Sequence, residues 1–155
     1  MAGYSGTPLP AKLGVKPEQR LAVSGAPAGF LPSLGPLPAG ARLTSRGPFD
    51  LGIFFVRSAR ALAAALARAR PRLDPDGALW IGWPKKASGV PTDVTEDVVR
   101  RAALACGLVD VKVCAIDETW SGLRLVVPVR DRPGSARGAP PRRPARGPTP
   151  SRARG

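Results

Sequence analysis

The sequence predicts an α/β sandwich, with helices packed on a mostly parallel sheet and an antiparallel hairpin at its C-terminal end. Three observations carry this. Short apolar runs alternate along the chain with segments of helical period. Two of those runs, 49–56 and 78–83, are almost continuously apolar, as strands buried beneath helices must be. Late in the chain, two strand-like segments at 109–116 and 123–129 flank a polar turn short enough for antiparallel pairing.

Residues 20–24 form the first predicted strand, which stops at Gly25. A passage rich in Pro and Gly follows, with one helical turn predicted at 30–34 and a weak strand at 41–44. The strong strand 49–56 leads into a helix from Ser58 to Arg70. At about 100° per residue, Ala59, Leu62, Leu66 and Ala69 share one face and Arg57, Arg60 and Arg68 the opposite one. Leu73-Asp74-Pro75-Asp76-Gly77 is expected to turn the chain into the strand 78–83. The next helix has clear start signals. Asp93 and Glu96 stand at capping-box spacing, Thr92 and Thr95 are alternative caps, and Asp97 adds negative charge to the first turn. Val98, Val99, Ala102 and Cys106 make its apolar stripe, and Gly107 suits its end.

Length and composition bound the rest. The 155 residues accommodate one compact domain, expected at 1–132, with a disordered Arg/Pro/Gly-rich tail at 133–155. The net charge is +13, but residues 1–132 carry 18 basic and 11 acidic side chains, whereas 133–155 carry six arginines and no acid. Nucleic acid is therefore a candidate partner, held weakly through the tail. A coding bias toward Arg, Ala, Gly and Pro accounts for the same charge without a partner. No stretch reaches the ~18 apolar residues of a membrane span, and the N-terminus lacks a signal-peptide pattern, so a cytoplasmic location is expected. Histidine is absent, which removes Ser-His and Cys-His nucleophile pairs and most zinc sites. Cys106 and Cys114 make no disulfide framework and are expected to be buried and inert.

Several segments together carry a family resemblance: Gly3-Tyr4-Ser5-Gly6-Thr7-Pro8, Leu79-Trp80-Ile81-Gly82-Trp83-Pro84-Lys85-Lys86, Thr92-Asp93-Val94-Thr95-Glu96 and Gly107-Leu108-Val109-Asp110 through Trp120-Ser121-Gly122-Leu123. Across residues 1–131 the chain resembles the bacterial domain-of-unknown-function family 3052, which implies no activity. The order of elements is also similar to that of S-adenosylmethionine-dependent methyltransferases. That similarity implies a small Rossmann-like, methyltransferase-like three-layer sandwich. The superfamily's cofactor motif, acidic-x-Gly-x-Gly-x-Gly, corresponds here to Val23-Ser24-Gly25-Ala26-Pro27-Ala28-Gly29. Val23 replaces the acid and Pro27 the middle glycine. Proline fixes φ and removes an N–H where close backbone approach is needed. No carboxylate follows the weak strand, which ends Thr44-Ser45-Arg46. The chemistry of the superfamily is stripped from its outline.

Loops that follow parallel strands converge at the carboxyl edge of the sheet. The predicted strands place Gly25, Arg57, the Lys85–Gly89 loop and the Asp117–Trp120 turn there. Lys85, Lys86, Ser88 and Gly89 supply two ammonium groups, a hydroxyl and open backbone for a small anionic ligand. The competing arrangement pairs both lysines with Asp93, Glu96 and Asp97. Asp117 and Glu118 are either an acid–base pair, chelators of a hard cation, an ion-pair partner for the lysines, or the polar tip of a hairpin. Trp80 and Trp83 are oddly spaced on one strand and face opposite sides of the sheet, so Trp80 is expected in the core. Trp83 and Trp120 sit nearer the edge and are candidates to contact a ligand. Three functions follow: a non-catalytic binding or regulatory module for an anion, a divergent methyltransferase, or weak nucleic-acid association through the basic tail.

Overall fold

The strands carry the polar and apolar alternation into a single six-stranded sheet. The computed structural model describes residues 8–132. Its strands are β1 (Arg20–Ser24), β2 (Arg42–Leu43), β3 (Phe49–Phe55), β4 (Leu73–Pro84), β5 (Val109–Ala115) and β6 (Trp120–Val126). Their order is β2-β1-β3-β4-β6-β5. Neighbours from β2 to β4 are parallel, and β6 runs antiparallel to both β4 and β5. The predicted closing hairpin is thus present, with its second strand inserted inside the sheet and its first strand left at the rim.

Four helices cover the two faces: α1 (Leu9–Leu13), α2 (Phe30–Leu34), α3 (Ala59–Ala69) and α4 (Glu96–Ala105). On the first face, Leu62, Leu66 and Ala69 of α3 and Val99 and Ala103 of α4 pack on Phe54, Leu79, Ile81, Trp83 and Leu123. On the second, Leu13 of α1 and Phe30 and Leu34 of α2 pack on Leu21, Ile53, Phe55, Trp80 and Trp120. This makes the three layers. Trp80 and Trp83 lie on opposite faces, as their spacing requires. Trp80 is fully buried and donates its indole N–H to the Leu13 carbonyl at 2.8 Å, which ties α1 to the sheet.

Some expectations are corrected. Residues 73–77 belong to β4 instead of forming a separate turn, because five residues of β4 span only two of β3 in an irregular bulge. Gly77 permits this by bringing its backbone against the Asp50 carbonyl, where any Cβ would collide. The last strand starts at Trp120, three residues early, because the Asp117 carboxylate accepts the N–H groups of Thr119 and Trp120, both at 2.8 Å, and tightens the turn. Helix α1 was not foreseen. Its five residues include Pro10, which the first turn tolerates.

Both long helices begin at the carboxyl edge. Ser58 caps α3 by accepting from the Ala61 N–H, and Thr95 caps α4 by accepting from the Val98 N–H. Asp93 therefore does not open a capping box with Glu96. Its carboxylate instead accepts the Ala59 N–H at 2.8 Å, across to the first turn of α3. At the amino edge, Arg20 binds Asp50 through its guanidinium and its backbone N–H, with Asp74 at 3.6 Å. Among the described residues no helix is long and apolar enough to cross a membrane.

Candidate functional site

The strand order reverses beside β1: the chain leaves β1 toward β2 on one side, and β3 leads away to β4 on the other. Ligand crevices in open α/β sheets form at such switch points, outside the carboxyl ends of the strands. Gly25 follows β1 there with φ +68°, and a Cβ on it would come within 2.7 Å of the Phe55 carbonyl. Only glycine satisfies both the left-handed φ and the close approach. Phe55, at the end of β3, packs edge-on against Phe30 and Trp120 with ring centroids 4.8 and 5.2 Å away. Arg57 lies over the Trp120 ring at 5.4 Å.

The β4–α4 connection passes over the neighbouring part of the same edge. Lys86–Ser88 forms one 3-10 turn closed by Gly89 in the left-handed conformation. The Ser88 hydroxyl is occupied by that turn, donating to the Lys85 carbonyl at 2.6 Å and accepting from the Val90 N–H at 3.1 Å. The Lys85 N–H donates to the Thr119 carbonyl at 2.8 Å, so the loop and the β5–β6 turn are joined. Asp117 is committed to capping that turn, and Glu118 is exposed beside it. The two carboxylates form the polar tip of the β5–β6 hairpin.

The acids expected to neutralise the lysines are engaged elsewhere. Asp93 caps α3. Glu96 and Asp97 both pair with Arg100, which also reaches Asp110 on β5 at 3.2 Å. These carboxylates and hydrogen bonds hold the Arg100 guanidinium above its ordinary value. No ion pair or side-chain hydrogen bond engages the ammonium groups of Lys85 or Lys86 among the described residues.

A cavity of about 470 Å³ opens between this loop and the first face of the sheet. Trp83, Lys86 and Gly89 line it, together with Val90, Pro91, Val94 and the polar side chains of Thr92, Thr95, Glu96 and Ser121. The structure thus divides the expected residues. Trp83 belongs to the first face, whereas Trp120, with Arg57 above it, belongs to the second. Ser121 was missed, although it pairs directly with Trp83 across β4 and β6. Its signal was the hairpin register, which the early start of β6 displaced. The thiols are half-buried instead of fully buried, and burial raises both above the ordinary thiol value. The predicted tail 133–155 and Tyr4 lie outside the described residues.

The family described as protein of unknown function (DUF3052) matches residues 48–129. The chain belongs to this family. The matched segment runs from just before β3 to just past β6, narrower than the resemblance across 1–131. No curated protein sequence matches the chain. Among solved structures, a SAM dependent methyltransferase from Aquifex aeolicus is similar, with TM-score 0.56, 15% identity, and 76% of this chain and 87% of that chain covered. CalO1, a methyltransferase in calicheamicin biosynthesis, gives TM-score 0.57 at 12% identity, covering 77% of this chain and 52% of that one. A ribosomal protein L11 methylase from Lactobacillus delbrueckii subsp. bulgaricus gives TM-score 0.51 at 14% identity, covering 77% and 74%. At such identities the likeness is one of fold. This member of DUF3052 has a methyltransferase-like α/β fold.

Proposed function

We propose that this protein is a non-catalytic binding or regulatory module of the cytoplasm that holds a small anionic ligand at the carboxyl edge of its sheet. One observation carries the reading. Lys85 and Lys86 stand unpaired at that edge while Asp93, Glu96 and Asp97 are all engaged with other groups. Two neighbouring cations without internal counter-charge favour an external anion. Calorimetry and thermal shift with nucleotides, coenzyme A and S-adenosylmethionine test it, using wild type and the Lys85→Gln/Lys86→Gln double variant. Saturable binding lost in the variant supports the proposal. Absence of any lysine-dependent anion binding overturns it.

A divergent methyltransferase is the second reading, supported by the fold of the Aquifex and calicheamicin proteins. The residues present do not fit the usual cofactor grip. Pro27 offers no N–H and spends its carbonyl on the Phe30 N–H at 3.1 Å. The end of β2 offers Thr44, whose hydroxyl donates to the Arg46 carbonyl, in place of a carboxylate. Stoichiometric S-adenosylmethionine binding that survives the double lysine variant would put this reading first.

A further inference from the structure

The cavity beside Lys86 has a donor set that narrows the ligand. Trp83 is only 6% exposed, yet its indole N–H has no hydrogen-bond partner among the described residues. Among the described residues the fully buried unpaired side-chain nitrogens belong to Arg72 and Arg124. The Trp83 N–H is absent from that set and so meets open space, and Trp83 lines this cavity. Trp80, by contrast, is paired. An unpaired indole N–H at the wall of the cavity is a donor that an acceptor on a ligand can take.

The neighbouring groups are also donors. Ser121 stands across from Trp83 in the β4–β6 register, and its hydroxyl has no partner among the described residues. The Thr95 hydroxyl accepts from the Val98 N–H, which leaves its own hydrogen to give. Lys86 adds one positive charge. Opposing them is a single carboxylate, Glu96, already held by Arg100. Asp97 lies one residue further along the same first turn. Both acids are already paired with Arg100, so Lys86 matches one negative charge on a ligand and nothing lining the cavity matches a second. Val90, Pro91 and Val94 supply apolar wall for the rest of a ligand, and about 470 Å³ lies within the ~300–1,000 Å³ typical of small-molecule sites.

We propose that the cavity binds a small monocarboxylate with an apolar body, its carboxylate held by the Trp83 N–H, the Ser121 hydroxyl and Lys86. This rests on the anion-binding reading above and narrows it to one chemical class. Three probes of like body separate the possibilities: benzoate, phenyl phosphate and neutral phenol. They are titrated by calorimetry into the full chain while its three indole N–H resonances are followed by NMR. The Trp83 resonance is assigned by its absence from Trp83→Phe. Benzoate is expected to bind best and to move that resonance while leaving that of Trp80 in place. Lys86→Gln should weaken benzoate roughly ten-fold or more, as a charged hydrogen bond of about 1.5–3 kcal/mol implies. Ser121→Ala should weaken it severalfold with little change in thermal midpoint. Phenyl phosphate binding as tightly as benzoate overturns the carboxylate assignment and leaves the anion reading standing. Benzoate binding with the Trp83 resonance unmoved removes the ligand from this cavity. If no probe binds in a lysine-dependent way, the monocarboxylate assignment falls, and the anion reading is decided by the nucleotide and coenzyme A panel.

Discussion

Asp50 accepts three hydrogen bonds from Arg20, two from the guanidinium and one from the backbone N–H. The guanidinium holds its carboxyl below the ordinary value, against the opposing effect of burial. A carboxyl depressed on folding adds stability above its unfolded pKa and loses that stability as pH falls through the folded one. Wild type should therefore exceed Asp50→Asn in urea midpoint at neutral pH. The gap should shrink as the pH drops below about 4, the unfolded carboxylate value. A gap that stays constant down to acid would show that the pair acts without its charge. Gly77→Ala probes the other side of the same region. Its new Cβ would collide with the Asp50 carbonyl, so a loss of about 1–3 kcal/mol is expected in chemical denaturation. Charged residues were the least legible in the sequence. Lys85 and Lys86 were visible as a loop, but whether three nearby acids would neutralise them depended on Arg100 and on the N-terminus of α3. Those partners are set by packing, not by spacing.

At the scale of elements, α3 and α4 share one device. Each begins at the carboxyl edge with a hydroxyl cap, and the β4–α4 connection adds Asp93 to the first turn of α3. A carboxylate there also complements the helix dipole. Thr92 fastens the same connection by donating to the Arg57 carbonyl at 2.7 Å. Ser58→Ala should cost about 1 kcal/mol, as loss of an N-cap does. Asp93→Ala should cost a similar amount and speed amide exchange at Ala59, because its partner is that N–H. Unchanged exchange at Ala59 in the Asp93 variant would contradict the bridge. Strand and helix positions were legible because periodicity and caps are local. The exceptions have non-local causes: β4 extends through a bulge that needs β3 opposite it, and α1 is fixed by the Trp80 bond to Leu13, 67 residues away in sequence.

Across the whole molecule, the sheet separates the two thiols. Cys106 packs with the first face and Cys114 with the second, so no intrachain bridge is expected on oxidation. Burial raises both thiols, which lowers the thiolate fraction and slows alkylation. Iodoacetamide should modify the native protein much more slowly than the protein in urea, and a native rate equal to the denatured one would refute this. If the six arginines of 133–155 contact a polyanion, salt dependence reads it. Deleting that segment should flatten the dependence of polyanion affinity on log salt, by about 0.9 for each phosphate contact removed. An unchanged slope would exclude the tail from binding.

β6 is the last strand to be made, yet it lies inside the sheet, between β4 and β5. On a ribosome, β4 and its apolar run emerge about 40 residues before the partner that will cover their open side. During that interval the nascent chain presents an unpaired apolar strand edge, the surface most prone to pairing with another chain. Pairing of β6, once the chain through Val126 has emerged, is what shields it. Stalled or truncated chains ending before Trp120 should therefore accumulate as aggregates or recruit chaperones, even though five of the six strands have already been synthesised.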